Sequence, residues 1–165
     1  NVSNDLQSMT AAINLYQGRY LALPGDDAGA AVRWGITAPG GTGVGNGTIE
    51  GAYNSGTAGD ESRQFWLHLR RAGLIGGAVN ATNPPNAVGG ITGVQNGAFN
   101  LPGIVVCTNN LPAVIAQAID TQFDDGVSAT GNVRAAAGTA AGATAAPDAN
   151  YVDNGTNFYV LCMRP

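Results

Sequence analysis

The residues of this chain that could carry out acid–base chemistry are few. His68 is the only histidine, and Glu61 lies about two helical turns before it in the run ESRQFWLHLRR, so both side chains would share one helical face. A histidine beside a carboxylate can exchange protons with a substrate. No nucleophile motif such as G-x-S-x-G accompanies the pair. We therefore interpret His68 as a structural residue and predict that the protein is not an enzyme and has no small-molecule substrate.

Three aspartates could bind a metal ion. Asp120, Asp124 and Asp125 precede Gly126 in the run D-x-x-x-D-D-G, and carboxylate oxygens are ligands that calcium prefers. The run lacks the alternating spacing of a calcium-binding loop. We therefore interpret it as the solvated end of a helix and predict no cofactor, with calcium as the alternative. Negative charge is unfavourable at the C-terminus of a helix, so a cation or Arg134 would have to offset it.

The two cysteines, Cys107 and Cys162, each lie in a short apolar run typical of a strand, GIVVCT and NFYVLCM. Two thiols and a single imidazole are too few for an ordinary zinc site. A disulfide is favoured, and closing so long a loop would contribute about 4 kcal/mol in the chain-entropy model. The alternative is two buried free thiols in a reducing compartment. The disulfide interpretation places the protein outside the cytoplasm.

The element that opens the chain is an amphipathic helix. Apolar side chains recur at steps of three and four residues, which is the helical period, at Val2, Leu6, Met9, Ile13, Tyr16 and Tyr20. We call these six residues the α1 stripe. The pattern stops at Leu23, because the residue before a proline disfavours helical geometry, and Asp26 and Asp27 then form a turn.

The remaining chain predicts two shorter helices and several strands. The first helix follows Asp60 as its cap and stops at Gly73. The second begins near Pro112, with a predicted buried face of Leu111, Ile115, Ala118, Ile119 and Phe123. Strands are predicted at 103–108, 132–136 and 157–163, with a weaker one at 91–94. We expect a single domain over residues 1–165, of the α+β class with a small antiparallel sheet.

Glycine-rich stretches at 28–60 and 76–100 predict long loops, the first with Trp34 as an anchor in the core. The run at 137–149 holds only small side chains apart from Pro147 and Asp148, so we predict a loop that buries little. The chain has seven arginines, no lysine and a net charge of −4. Nucleic acid is therefore not an expected partner, since phosphate binding depends on cations.

Several segments together resemble the type IV pilins and their pseudopilin relatives. They are the run YQGRY at 16–20 continuing into ALPGD at 22–26, then Trp34, the run FWLHLR at 65–70, and the C-terminal strand that ends near Cys162. The similarity extends along the chain, and the junction from the tyrosines to LPGD is its most specific part.

This resemblance implies a pilin-like roll, in which a long N-terminal helix packs on the sheet. Residues 1–22 would be the amphipathic half of that helix, and a preceding apolar half would anchor the subunit in the inner membrane and later form the filament core. The α1 stripe would pack partly on the sheet and partly on neighbouring subunits. The implied function is a structural subunit, major or minor, of an extracellular type IV pilus, with roles in adhesion, motility or DNA uptake.

Two alternatives stay open. The chain could be a pseudopilin of a type II secretion system, although the calcium-binding loop typical of the major pseudopilins is not recognisable in it. It could instead be a secreted adhesin-like module that binds carbohydrate or another surface, with Trp34 and Tyr53 among Gly- and Asn-rich loops holding the ligand.

Overall fold

The fold is mixed helix and sheet, as predicted, in a computed structural model that describes residues 1–41, 43–138 and 141–165. The helices are α1 Val2–Tyr20, α2 Ala30–Trp34, α3 Glu61–Arg71 and α4 Ala113–Phe123. The strands are β1 Thr92–Ala98, β2 Leu101–Pro112, β3 Val133–Ala137 and β4 Phe158–Met163, and a 3₁₀ turn spans Ala141–Ala143. Within the described residues, no helix has both the length and the apolar character needed to cross a bilayer.

The strands form one antiparallel sheet in the order β1-β2-β4-β3. The last strand therefore lies inside the sheet, between β2 and β3. Cys107 of β2 stands directly opposite Cys162 of β4 in the strand register, and their sulfur atoms are bonded. The predicted disulfide is confirmed, and it ties the C-terminal strand to the centre of the sheet.

Alternate side chains of β2 and β4 point to opposite faces of the sheet, and each face has its own hydrophobic core. On the helix-covered face, residues of β2 and β4 pack with α1, α3 and α4, and the cluster includes Leu6, Ile13, Tyr16, Phe65, Trp66, Leu69, Leu111, Ile119, Tyr159 and Leu161. On the loop-covered face, the cluster includes Tyr53, Phe99, Val105, Cys107, Ala143, Val160 and Cys162.

Helix α1 ends at Tyr20, three residues before the stop at Leu23 that the sequence predicts. The Asn1 side chain caps it by accepting a hydrogen bond from the Ser3 N–H at 2.9 Å. The helix stops after Tyr20, where Leu21 takes a left-handed conformation with φ of 54°. Arg19 donates to the Ala72 carbonyl at 3.0 Å, which joins the C-terminal ends of α1 and α3.

The predicted buried face of α4 is partly wrong. Leu111 is buried but belongs to β2, while Ile115 and Ala118 are exposed and Phe123 is only partly buried. The sequence predicts a start near Pro112, but the first residue of the helix is Ala113, and Pro112 occupies the N-cap position. The inward face of α4 consists of Ala113, Ala116, Ile119 and Asp120.

Three further predictions about loops and caps need correction. Asp60 occupies the N-cap position of α3, but its carboxylate accepts from the Ser55 hydroxyl at 2.5 Å and not from the helix. The 28–60 stretch contains the short helix α2, which ends at Trp34. In the 137–149 run, Ala143 is fully buried and its carbonyl accepts from the Phe99 N–H at 3.2 Å, so this run does bury part of itself. Thr139 and Ala140 of the same run lie outside the described residues.

Candidate functional site

The α1 stripe is largely used inside the chain. Four of its six side chains are buried, namely Val2, Leu6, Ile13 and Tyr16, and the other two, Met9 and Tyr20, are partly buried against the same core. These residues therefore offer little surface to another subunit. A large apolar side chain of the helix, Leu15, is 59 % exposed on the opposite side.

A groove beside the start of α1 was not predicted from the sequence. It has a volume of about 340 Å³ and lies between Val2, the exposed side of α4 and Val88. Val114 and Ile115 line it, and Val114 is 64 % exposed. Val114 and Ile115 are both exposed, although the sequence predicts Ile115 on the buried face of this helix.

Asp27 is a buried hydrogen-bond acceptor at the end of α1. It accepts from the Tyr16 hydroxyl at 2.6 Å, the Arg33 guanidinium at 2.8 Å and the Gly29 N–H at 2.9 Å. Burial alone would raise the pKa of the Asp27 carboxyl, but these three donors together outweigh burial and lower it. Burial and the hydrogen bond to Asp27 raise the pKa of Tyr16 far above its ordinary value. The turn that the sequence predicts at 26–27 thus contains a salt bridge between Asp27 and Arg33.

Arg33 also stacks on aromatic rings, with its guanidinium carbon 4.1 Å from the ring centre of Tyr20 and 4.9 Å from that of Trp34. Trp34 is partly buried and packs on the core, as the sequence predicts. Tyr53, by contrast, is fully buried on the loop-covered face. It cannot contact a ligand there, which corrects its assignment to a ligand-binding surface.

Asp26 is buried and organises the segment 43–51. Its carboxylate accepts three backbone N–H groups, from Gly45 at 2.5 Å, Gly47 at 2.7 Å and Asn46 at 3.3 Å. Beside it lies a recess of about 620 Å³, lined by Gln17, residues 21–23, residues 26–29, Gly45 and Gly47. The sequence indicated the Asp26 turn but gave no sign that a loop 20 residues later would close on it.

His68 is fully buried, and its Nδ1 accepts from the Gly25 N–H at 2.8 Å. The proton of the neutral ring is therefore on Nε2. Burial lowers the His68 pKa to about 4, with Asp27 opposing that shift. The ring stacks on Tyr16 at 6.3 Å with an angle of 11°. The geometry fits the structural histidine that we predicted.

Glu61, the other member of the pair, is also fully buried. Its Oε2 accepts from the Glu50 N–H at 2.8 Å. Burial raises the pKa of Glu61 to about 7 against the effect of that bond, and the nearby Asp26 raises it further. Within the described part of the chain, the buried side-chain polar atoms without a hydrogen-bond partner all belong to α3: Glu61 Oε1, Ser62 Oγ, Gln64 Oε1, Trp66 Nε1 and His68 Nε2.

The structure brings Asp120, Asp124 and Asp125 together, each with an oxygen within 4.8 Å of the others. Their interpretation as a solvated helix end is wrong for Asp120, which is fully buried. Asp120 accepts from the Tyr151 hydroxyl at 2.6 Å and the Gly126 N–H at 3.0 Å. Burial raises the Asp120 pKa, and the Tyr151 bond opposes the rise.

The other two aspartates of this cluster also accept hydrogen bonds from the protein. Asp124 accepts from the N–H groups of Asn132 and Val133, at 2.5 and 3.0 Å, and Asp125 from the Thr130 hydroxyl and the Val127 N–H. The Arg134 guanidinium, predicted as their partner, donates to the carbonyls of Gly131 and Phe99. The hydrogen bond from Thr130 is the main cause that lowers the Asp125 pKa, and the Arg134 charge adds a smaller effect. The cluster therefore holds the loop after α4.

No family model, curated protein or solved structure matches the chain. The main structural features of the chain are the packed α1 stripe, the groove beside Val2, the disulfide-linked strands and the buried acids near the ends of α1 and α4.

Proposed function

We propose that this chain is the globular domain of a filament subunit of the type IV pilin class, with a pilin-like roll as its fold. The observation that carries the proposal is the placement of α1, whose apolar stripe joins the sheet, α3 and α4 in one core. The disulfide between Cys107 and Cys162, which links the C-terminal strand to β2, agrees with it. The chain would act by assembly and not by catalysis.

In such a filament, the partners would be other copies of the subunit, and the protein would be anchored in the inner membrane before it reaches the cell surface. The stripe is occupied inside the chain, so neighbouring subunits would contact the other side of α1, where Leu15 is exposed, and the groove beside Val2. A role as a type II secretion pseudopilin belongs to the same class, since it would use the same helix and sheet.

A second candidate is an adhesin-like binding module, which could also be part of a filament tip. The recess beside Asp26 and Asp27 favours it, because concave sites with a few converging polar groups are typical of ligand binding. Tyr53 has no part in this candidate, since it is buried.

The first test is the gene sequence upstream of the codon for Asn1. A short basic leader followed by about 20 apolar residues, enough to cross a bilayer, would support the filament proposal. A conventional signal peptide with a small-residue cleavage site directly before Asn1 would overturn it and favour the binding module.

The second test is assembly. Leu15→Asp should abolish incorporation of the subunit into filaments sheared from cells while leaving the thermal unfolding of the isolated domain within about 0.5 kcal/mol of wild type, because the residue is exposed. Asn14→Asp is the matched control, since it adds the same charge at the neighbouring exposed position. Normal incorporation of the Leu15→Asp variant would show that this side of α1 is not an assembly surface.

A further inference from the structure

The segment 43–51 is held against the rest of the domain by two buried carboxyl groups. Asp26 binds it through the N–H groups of Gly45, Asn46 and Gly47, and Glu61 binds it through the N–H of Glu50. Both acids are buried, with exposures of 2 % and 0 %. Two carboxyl groups therefore share the task of fixing one loop.

The two carboxyl groups have different hydrogen-bond environments. Asp26 accepts three backbone N–H donors. Glu61 accepts a single donor through Oε2, and its Oε1 is buried with no partner in the described part of the chain. The two carboxyl groups bind neighbouring N–H groups of one segment, and Gly25, directly before Asp26, packs against the backbone of Glu61. A buried acceptor beside a carboxylate is satisfied when it carries a proton and becomes a donor.

We propose that Glu61 is protonated in the folded protein and donates from Oε1 to the Asp26 carboxylate, so that this single proton locks the segment 43–51, and that its loss at alkaline pH loosens the segment. The proposal concerns the domain itself and does not rest on the filament function.

The charged groups around Glu61 agree with this assignment. The charges of two other acids raise the pKa of Glu61. They are Asp26, in the turn after α1, and Glu50, in the segment 43–51. On its own helix, Arg63 directs its guanidinium to the carbonyls of Ala81 and Ser55. Asp60, directly before α3, binds the Ser55 hydroxyl.

The remaining charged groups of this region are engaged in other contacts. Arg33 is paired with Asp27, and burial keeps His68 neutral by lowering its pKa to about 4. The pKa of Glu61, raised by burial to about 7, means that the proton is held below neutral pH and released above it. Because that pKa is higher in the folded than in the unfolded chain, its contribution favours folding at low pH and is lost as the pH rises from about 4.5 through 7.

The experiment uses the fact that Glu50 and Glu61 are the only glutamates in the chain. Protein labelled with ¹³C at the glutamate side-chain carboxyl carbon gives two resonances, and the one lost in Glu61→Gln belongs to Glu61. We expect that resonance to titrate near pH 7. Titration of Glu61 at or below its ordinary value of about 4.5 would overturn the proposal.

Amide exchange at Gly45 and Gly47 tests the lock. In the wild-type protein, their protection factors should fall about tenfold between pH 6 and pH 8, which corresponds to one pKa unit of coupling. In Glu61→Gln, whose amide can donate permanently to Asp26, protection should remain constant over this range. An equal fall in both proteins would show that Glu61 does not control the segment.

Asp26→Asn tests the other member of the pair. In this variant an amide nitrogen would face a backbone N–H donor, and two donors cannot form a hydrogen bond. Protection should be lost at every pH, and the Glu61 resonance should titrate at a lower pH than in wild type. An unchanged Glu61 titration would contradict the coupling. Addition of calcium distinguishes a proton from a cation: if millimolar calcium restores the protection of Gly45 and Gly47 in the wild-type protein at pH 8, a cation and not a proton joins the two carboxyl groups, and the proton assignment is wrong.

Discussion

On the helix-covered face of the sheet the buried side chains are large and aromatic, including Tyr16, Phe65 and Trp66, whereas the loop-covered face combines Tyr53 and Phe99 with smaller alanines, valines and the disulfide. Helices bring long apolar stripes to a sheet, so the first face gains its stability from area removed from water. Loops bring few large side chains, and the second face depends more on covalent and polar links.

The buried polar groups of the two faces differ in kind. Next to the helices they include the ionisable groups of Glu61, His68, Asp26 and Asp27. Behind the loops they include the amides of Gln95 and Asn83. Gln95 accepts from the Tyr53 N–H at 3.0 Å and donates to the Gly97 and Gly142 carbonyls, and Asn83 donates to the Tyr53 and Thr92 carbonyls.

An amide side chain offers both a donor and an acceptor without a charge. It can therefore bind both kinds of backbone group in a loop at any pH. The number of donors and acceptors that a buried acid or imidazole offers changes with its protonation state, so its contribution changes with pH. The stability of the helix-covered face should therefore depend on pH. The stability of the loop-covered face should depend on the disulfide and on individual amide hydrogen bonds.

The largest expected effect is on the loop-covered face. Replacing Cys107 and Cys162 together by alanine should lower the free energy of unfolding by about 4 kcal/mol, because the disulfide closes a long loop and ties the last strand to β2. Chemical denaturation of the variant measures the loss. Intact mass of the alkylated native protein is the control, and labelling of both cysteines in the wild type would contradict the disulfide.

The next effect is on the helix-covered face. Leu6→Ala should cost about 3 kcal/mol, because Leu6 is 1 % exposed and truncation leaves a cavity in the core. Leu15→Ala on the same helix is the matched control and should change stability by less than about 0.5 kcal/mol, because that side chain is exposed. Thermal unfolding of the two variants compares them, and equal losses would mean that the two sides of α1 are not distinguished by packing.

A single amide on the loop-covered face should have a smaller effect. Gln95→Ala should cost about 2 kcal/mol, because the Tyr53 N–H and two loop carbonyls lose their partner in a buried place. Amide exchange at Tyr53 should accelerate, and the loss should be the same at pH 5 and pH 8. Gln117→Ala, at an exposed position of α4, is the control. A loss that varies with pH would show that an ionisable group also holds this loop.

The smallest effect concerns His68. Its pKa is lowered by burial to about 4, so the folded chain binds its proton less well than the unfolded chain. The contribution of neutral His68 to the free energy of unfolding is fully present above about pH 6.5. It should fall by about 1 kcal/mol by pH 5.5. Glu61 titrates in the opposite sense over this range, so the unfolding free energy is best measured in Glu61→Gln. The Cε1 resonance of the only histidine gives the pKa directly, and a midpoint near 6.5 would contradict the lowered value.

The same comparison explains which predictions from the sequence hold. The α1 stripe, α3 and the three main strands follow from periodicity within a short window, and that periodicity is set by backbone geometry. The two cysteines could be paired because each lay in a predicted strand and no other cysteine competed. The buried part of 137–149 could not be predicted, because Ala143 is buried by Phe99 and Tyr53, which are distant in sequence.

The acids show the same limit. The sequence indicated turns at Asp26 and after α4, since aspartate and glycine favour them. It gave no means to predict that Asp26 would bind residues 45–47 or that Asp120 would be buried under Tyr151. Each of these contacts joins segments whose approach depends on the packing of the whole domain.

By itself, then, the sequence determined the α+β class, the amphipathic first helix, the strand runs and the pair of cysteines, because local geometry and composition decide these. The tertiary structure decided which faces of the helices are buried, which loops cover the second face of the sheet, and which carboxyl groups are buried. Those outcomes depend on distances between residues far apart in the chain, and no local pattern carries that information.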